Sequence, residues 1–301
     1  ISTMVGCLQY DIITHTSGQD AVVLAHTRAA TDTLFRMVKK FHEKTPEELR
    51  PQIASKNGTR MVFDVRYMAQ REAGETGIEA SYECATAGGD NPFTGATPRA
   101  AHIAEAGKMP GDNHRQIEIM TSVLNAVPTN GPSIVTMEGT AQGWGNLFHQ
   151  TWQEAEYNMR NGRIPDPGEW IGVFVGWWED QLNQMIPSPD YRWDDGDADD
   201  IEQEKELISL YWKGDFHLAA PYLRWRRNKI KQIGNDFAKF DEDYPHCPRV
   251  AFLRSGRPAI PPKMFDYLNP LVSPPRLGSW TGSLVEPEKD DAYGISAVSG
   301  W

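Results

Sequence analysis

Two short apolar runs in this chain each end on a carboxylate. They are Ala100 to Glu105 (AAHIAE) and Ser133 to Glu138 (SIVTME), and the second opens into the glycine-rich stretch GTAQGWGN. Parallel strands buried on both faces read as short apolar runs, and ligands gather at their carboxyl ends. A carboxylate at such a tip can accept a hydrogen bond from an attacking water, so hydrolysis of a nucleoside triphosphate is the first chemistry to consider. That reaction also needs a phosphate cradle and a Mg²⁺ ligand. Ser2 and Thr3 open a helical pattern, where free backbone N–H groups favour phosphate and a hydroxyl can ligate the metal; the same residues also serve as ordinary helix caps.

The remaining candidates each carry a plainer reading. Glu105 could orient the lytic water or simply cap the next helix, and His102, three residues earlier, reads as a core histidine with its hydrogen bonds satisfied. Glu138, Gly139, Thr140 and Ala141, with Gly143, Gly145 and Asn146, offer a sharp turn and a hydroxyl that could sense a terminal phosphate, or a plain strand-to-helix loop. Asp195, Asp197, Asp199 and Glu206 stand at calcium-loop offsets, but Asp200 occupies the place where that loop needs glycine. The basic run Arg224, Arg226, Arg227, Lys229 and Lys231 could grip a phosphate backbone, or form a solvated helical face with Trp225 turned inward.

The elements that must position these groups follow from periodicity. Met4, Val5, Leu8 and Ile12 share one helical face, Ala21 to His26 reads as a buried strand, and Leu34, Phe35, Val38 and Phe41 repeat at helical spacing. Further strands are expected at Met61 to Val65 and Glu79 to Ala85. Residues 112–126, with Ile117, Met120 and Leu124 on one face, link the two carboxylate-tipped strands as a βαβ unit. The run IGVFVGW from Ile171 to Trp177 is expected to add another central strand. The alternation implies an α/β domain with a mainly parallel sheet and helices on both faces. After Pro187 the composition turns acidic, then helical, then proline-rich. The expected organisation is a core over 1–187, a small helical subdomain over 188–257 and a proline-rich linker over 258–301.

Bulk properties narrow the options. The 301 residues suffice for one large α/β domain or two small ones, and the formal net charge of −11 confines any polyanion contact to a local patch. Cys7, Cys84 and Cys247 form neither a disulfide framework nor a paired metal spacing, which fits a reducing compartment. No apolar run is long enough to span a membrane, and no signal-type segment opens the chain. Because Ile1 leads straight into a helix and Trp301 follows a fresh apolar segment, both ends are expected to be cuts from a longer protein.

Taken in order, these segments resemble the large terminase subunits of tailed bacteriophages, which are DNA-packaging motor ATPases. Ile1-Ser2-Thr3 is similar to the tail of that family's phosphate loop, Arg-Gln-x-Gly-x-Ser-Thr, and VVLAHTRAATDTLFRMVKKFHEKTPEELRP to the strand and helix after it. HIAEA from His102 resembles the Walker B segment, MEGTAQGWGNLFHQTWQEA from Met137 the coupling motif, and FVGWWED from Phe174 the Phe-x-Pro-Trp-Phe segment. YLRWRRNKI and FDEDYPHCPRVAFLRSGRP resemble the helical lid-like region. The resemblance implies a RecA-like sheet with a helical subdomain, and ATP with Mg²⁺ as cofactors. Ser2 would ligate the metal with Thr3 beside the phosphates. Glu105 would be the catalytic carboxylate, also at the metal, and Glu138, Gly139 and Thr140 would couple hydrolysis to movement.

Further implications are double-stranded viral DNA, a portal protein and a small terminase subunit as partners. A homo-oligomeric ring on the portal, host cytoplasm as the location and no membrane complete the expectation. Three departures stand out. Ala104 replaces the usual Ser or Asp, Thr94-Gly95 replaces Arg-Gly, and Ile1 occupies the place of a Walker lysine, so this stretch is expected to bind ATP poorly without upstream residues. The alternatives are a catalytically degenerate module that docks to portal or DNA, favoured by Ala104 and Thr94, and a nuclease built on the acidic run. The family's own nuclease domain would begin beyond Trp301; Lys289, Asp290 and Asp291 are given no role in it.

Overall fold

A computed structural model describes residues 1–254, apart from 66–69, 71, 75, 89–92, 94–95, 163–165, 167, 191 and 193–197. Asp195, Asp197, Thr94, Gly95 and the proline-rich stretch therefore lie outside the described residues, and so do Lys289, Asp290 and Asp291.

Among the described residues the sheet has six strands: β1 (Asp20–Ala25), β2 (Ile53–Lys56), β3 (Arg60–Phe63), β4 (Ser81–Thr86), β5 (Ala100–Ala104) and β6 (Ile134–Glu138). Their order is β2-β3-β4-β1-β5-β6, with β4, β1, β5 and β6 parallel and β2 and β3 antiparallel at one side. β1 and β5 are buried along almost their whole length, as expected of parallel strands covered on both faces. On one face α1 (Ser2–His15) and α2 (Arg28–Lys44) pack Tyr10, Ile13, Leu34, Phe35 and Val38 against Val23, Tyr82 and Ala104. On the other, α3 (Asn113–Ala126) sets Ile119, Met120 and Val123 against Val22, Leu24, Ala101 and Ile103. This is the mainly parallel α/β arrangement with helices on both faces that the periodicity anticipates.

Two helices bury faces other than those the pattern suggests. α1 turns Met4 and Leu8 to solvent and buries Gly6, Gln9, Tyr10, Ile13 and Thr14. Gln9 and Tyr82 explain the inversion, because the Tyr82 hydroxyl donates to Gln9 Oε1 at 2.7 Å and makes a polar side chain a core one. In α3, Ile117 and Leu124 are exposed and the buried stripe runs through Ile119, Met120 and Val123.

The expected central strand at 171–177 is corrected. No strand forms there, and only residues Trp177–Glu179 take a short 3₁₀ turn. Ile171, Val173 and Val175 face solvent, whereas Phe174 packs on Trp152 and Trp177 stacks on Trp225 at 5.9 Å. Side-chain anchoring thus replaces a hydrogen-bonded ladder.

After β6 come α4 (Leu147–Arg160), α5 (Ala198–Trp212), α6 (Phe216–Gln232), α7 (Phe237–Asp243) and α8 (Pro248–Arg254). The later helices share an aromatic core of Trp177, Leu207, Ile230 and Phe240, ringed by Trp178, Tyr211, Trp212 and Trp225. Trp225 does turn inward, and part of the basic run follows it. Arg226 is 1% exposed, bonded to Asp200 and to Gln203 Oε1 at 2.9 Å, and Arg227 holds Glu204 Oε2 at 2.6 Å. Arg226 and Arg227 are thereby internal ion-pair members and not part of a phosphate-gripping surface.

Candidate functional site

The head of α1 meets the carboxyl ends of the parallel strands. Gly6 lets α1 pack closely on α2, since a Cβ there would stand 3.2 Å from the Phe41 ring. Ile1 occupies the N-cap and no side chain caps the first turn, which leaves amides at the helix head available to an anion.

From that head the Ser2 hydroxyl donates to Glu138 Oε1 at 2.7 Å, across 136 residues of sequence. His102 Nε2 lies 3.2 Å from the same oxygen, with the imidazole 1% and the Glu138 side chain 11% exposed. An ionised carboxylate only accepts, so Nε2 carries the proton. Burial raises the Glu138 pKa, but the hydrogen bonds from His102 and Ser2, together with nearby positive charge, hold the carboxyl below its usual range. His102 is indeed a buried histidine with a satisfied partner, and that partner is a candidate site residue.

Glu105 lies one strand over. Ala104 pairs with Glu138 in register, so Glu105 follows immediately at the tip of β5. It adopts φ 55°, the left-handed region that a non-glycine residue enters at a cost of about 1 kcal/mol or more and that recurs at functional sites. Its Oε2 is shielded from water and makes no hydrogen bond; the Lys108 ammonium is 3.0 Å away but outside hydrogen-bonding geometry.

Two glycines lock the strand tips together. A Cβ on Gly139 would stand 2.9 Å from the Ala106 nitrogen and 3.0 Å from Glu105 Cα, and one on Gly107 would meet the Thr140 carbonyl at 2.4 Å. The loop beyond is ordered by His149, whose Nδ1 accepts from the Gly145 N–H at 3.1 Å while Trp144 covers the ring at 4.1 Å. Burial lowers the His149 pKa, in keeping with a neutral ring that accepts at Nδ1.

Of the anticipated residues, Ser2, Glu138, Gly139 and Glu105 share one end of the sheet. Thr3 differs, being exposed with its hydroxyl on Met37 Sδ at 3.5 Å, and Thr140 contributes a carbonyl over Gly107 while remaining exposed. Sequence reasoning missed His26. It follows β1 directly, one residue beyond the paired Ala25 and Ala104, and its Nδ1 is buried without a hydrogen bond. The signal was the one that pointed to Glu105, a polar residue ending an apolar run.

Mg²⁺ prefers oxygen ligands and is commonly held by one or two carboxylates together with waters and substrate phosphates. Ser2 Oγ and the Glu105 carboxylate, whose Oε2 accepts no hydrogen bond, fit that demand. Among the described residues no group of three or more His, Cys, Asp or Glu could hold an ion unaided, so phosphate and water would complete any shell.

No family model matches the chain, and no curated protein matches it. Among solved structures it is similar to the large terminase ATPase domain of Thermus phage P74-26, at 14% identity over 83% of this chain and 84% of that one, with a TM-score of 0.43. An arginine-to-alanine mutant of the same domain matches at 11% identity over 81% of both chains, with a TM-score of 0.45. These neighbours are phage terminase ATPase domains.

Proposed function

We propose that this chain is a Mg²⁺-dependent ATPase module of the large terminase type. The observation that carries the reading is the Ser2 to Glu138 hydrogen bond, which sets an uncapped helix head against the tips of β5 and β6. Amides at the head of α1 hold phosphate oxygens, and the Ser2 hydroxyl faces the metal. Glu105, on its left-handed turn, takes the proton of the attacking water. Bound Mg²⁺ supplies charge neutralisation on the phosphates. Gly139 and Thr140, packed on Glu105 and Gly107, carry any change at the β5 tip into the following loop.

The order of the motif-like segments supports the terminase assignment, and with it the translocation of double-stranded DNA into a capsid. Portal protein, small subunit and a ring of copies on the portal in the host cytoplasm belong to the same proposal. In the intact protein, Glu105→Gln should retain nucleotide binding and abolish turnover, because it preserves shape and removes the proton acceptor. Normal steady-state hydrolysis by that variant would falsify the assignment. Ala104 and Thr94, which stand where the resemblance implies Ser or Asp and Arg, favour a second reading, a module that docks without catalysis. Calorimetric titration of the intact protein with Mg²⁺-ATP separates the two, since the docking module shows no saturable binding.

A further inference from the structure

We propose that Glu138 is the positioning carboxylate for the metal-facing hydroxyl of Ser2, reaching it from the tip of β6; this rests on the nucleotide-site reading of Ser2.

Register fixes the direction in which Glu138 points. Ala104 and Glu138 are directly paired on neighbouring parallel strands. Side chains alternate along a strand, and paired positions share a face. Ala104 belongs to the core that α1 and α2 cover, so Glu138 projects toward α1, where it meets Ser2.

The hydroxyl chemistry then follows. Ser2 Oγ has one proton and two lone pairs, and the 2.7 Å bond commits the proton to Glu138 Oε1. The lone pairs face elsewhere, free for a hard cation. Without Glu138 the hydroxyl can rotate and aim its proton at the metal. His102 fixes the carboxylate in turn, from a fully buried position. Partners that orient a metal ligand in this way commonly change affinity by about 10–100-fold when removed. Glu105 does not duplicate the role, because the Ser2 proton goes to Glu138 and Glu105 Oε2 accepts no hydrogen bond.

A merely structural tether between α1 and the sheet would leave the metal dependence of ligand binding untouched, and this decides the test. ATP binding to the intact protein is followed by calorimetry across a Mg²⁺ series, and separately without metal, for wild type, Glu138→Ala, Glu138→Asp and Glu138→Gln. The expected result is a rise of at least about 10-fold in the Mg²⁺ concentration for half-maximal ATP binding by Glu138→Ala, which removes the acceptor for the Ser2 proton. Glu138→Asp withdraws the oxygen from Ser2 and should show a similar rise; it serves alone if the Ala variant does not fold. Glu138→Gln keeps an oxygen that accepts the Ser2 proton and should retain most of the Mg²⁺ response. An unchanged Mg²⁺ dependence in the folded Glu138→Ala and Glu138→Asp variants overturns the proposal and leaves the nucleotide site standing. Absence of Mg²⁺-dependent ATP binding in wild type removes both.

Discussion

Gly139→Ala is the sharpest probe of how the two strand tips are joined. The added methyl would stand 2.9 Å from the Ala106 nitrogen, 3.0 Å from Glu105 Cα and 3.1 Å from the Glu105 carbonyl carbon. Ordinary contacts of a Cβ begin at roughly 3.4 Å, so the backbones must separate by about 0.3–0.5 Å. All three atoms are main chain, and no rotamer change relieves them. Overpacking of this kind costs about 1–3 kcal/mol. Stiffening of the unfolded chain returns about 0.4–1 kcal/mol, which leaves a net loss of about 0.5–2 kcal/mol. Gly58 is the control, because nothing lies within 4 Å of its Cβ position and its φ is not positive, so Gly58→Ala should be neutral or slightly stabilising. Urea denaturation of both variants measures the difference. The shift also moves Glu105, and since about 1 Å of misplacement can cost roughly 100-fold in rate, about 0.5 Å should lower turnover by roughly 10-fold. Nucleotide affinity should change far less. Equal stability of the two alanine variants would refute the close approach.

Arg226→Met removes a guanidinium that is 1% exposed and leaves Asp200 with a buried charge; urea denaturation should show a loss of about 3–5 kcal/mol, and a loss below about 1 kcal/mol contradicts the buried pairing. Ser2→Ala should weaken Mg²⁺-dependent ATP binding much more than Thr3→Ala, because the Thr3 hydroxyl faces Met37; equal effects in calorimetry count against the assignment. Burial lowers the pKa of His42, His149 and His246 below 6.5, so the unfolded chain binds more protons as pH falls through about 6.5 and folding stability declines from there toward the folded-state values. Denaturation midpoints at about pH 7.5 and about pH 6 check this, and a flat profile refutes the neutral buried rings.

The sheet was legible because β1 and β5 are covered on both faces, so their apolar runs carry the signal unaided. The buried face of α1 was not. It is built from Gly6, Gln9 and Tyr10, whose places depend on Phe41, Tyr82 and His42 elsewhere in the chain. The run at 171–177 has the composition of a strand but finds anchors for its aromatic rings instead of a ladder, and composition does not distinguish the two. Glu105 could be picked out as the end of a buried run. Glu138 could be picked out as well, but its bond to Ser2 spans 136 residues and depends on strand order, which local spacing does not encode. The pairing of Arg226 and Arg227 with Asp200 and Glu204 was hidden for the same reason, since each half looks like a solvated charge run.

The meshing of Gly107 with Thr140 and of Gly139 with Glu105 leaves no slack between the two turns. One residue later, Ala141 is sealed against Ala251 and Phe252 of α8. Added bulk at Gly107 or Gly139 therefore meets main-chain atoms of the neighbouring turn, and only a backbone shift can accommodate it.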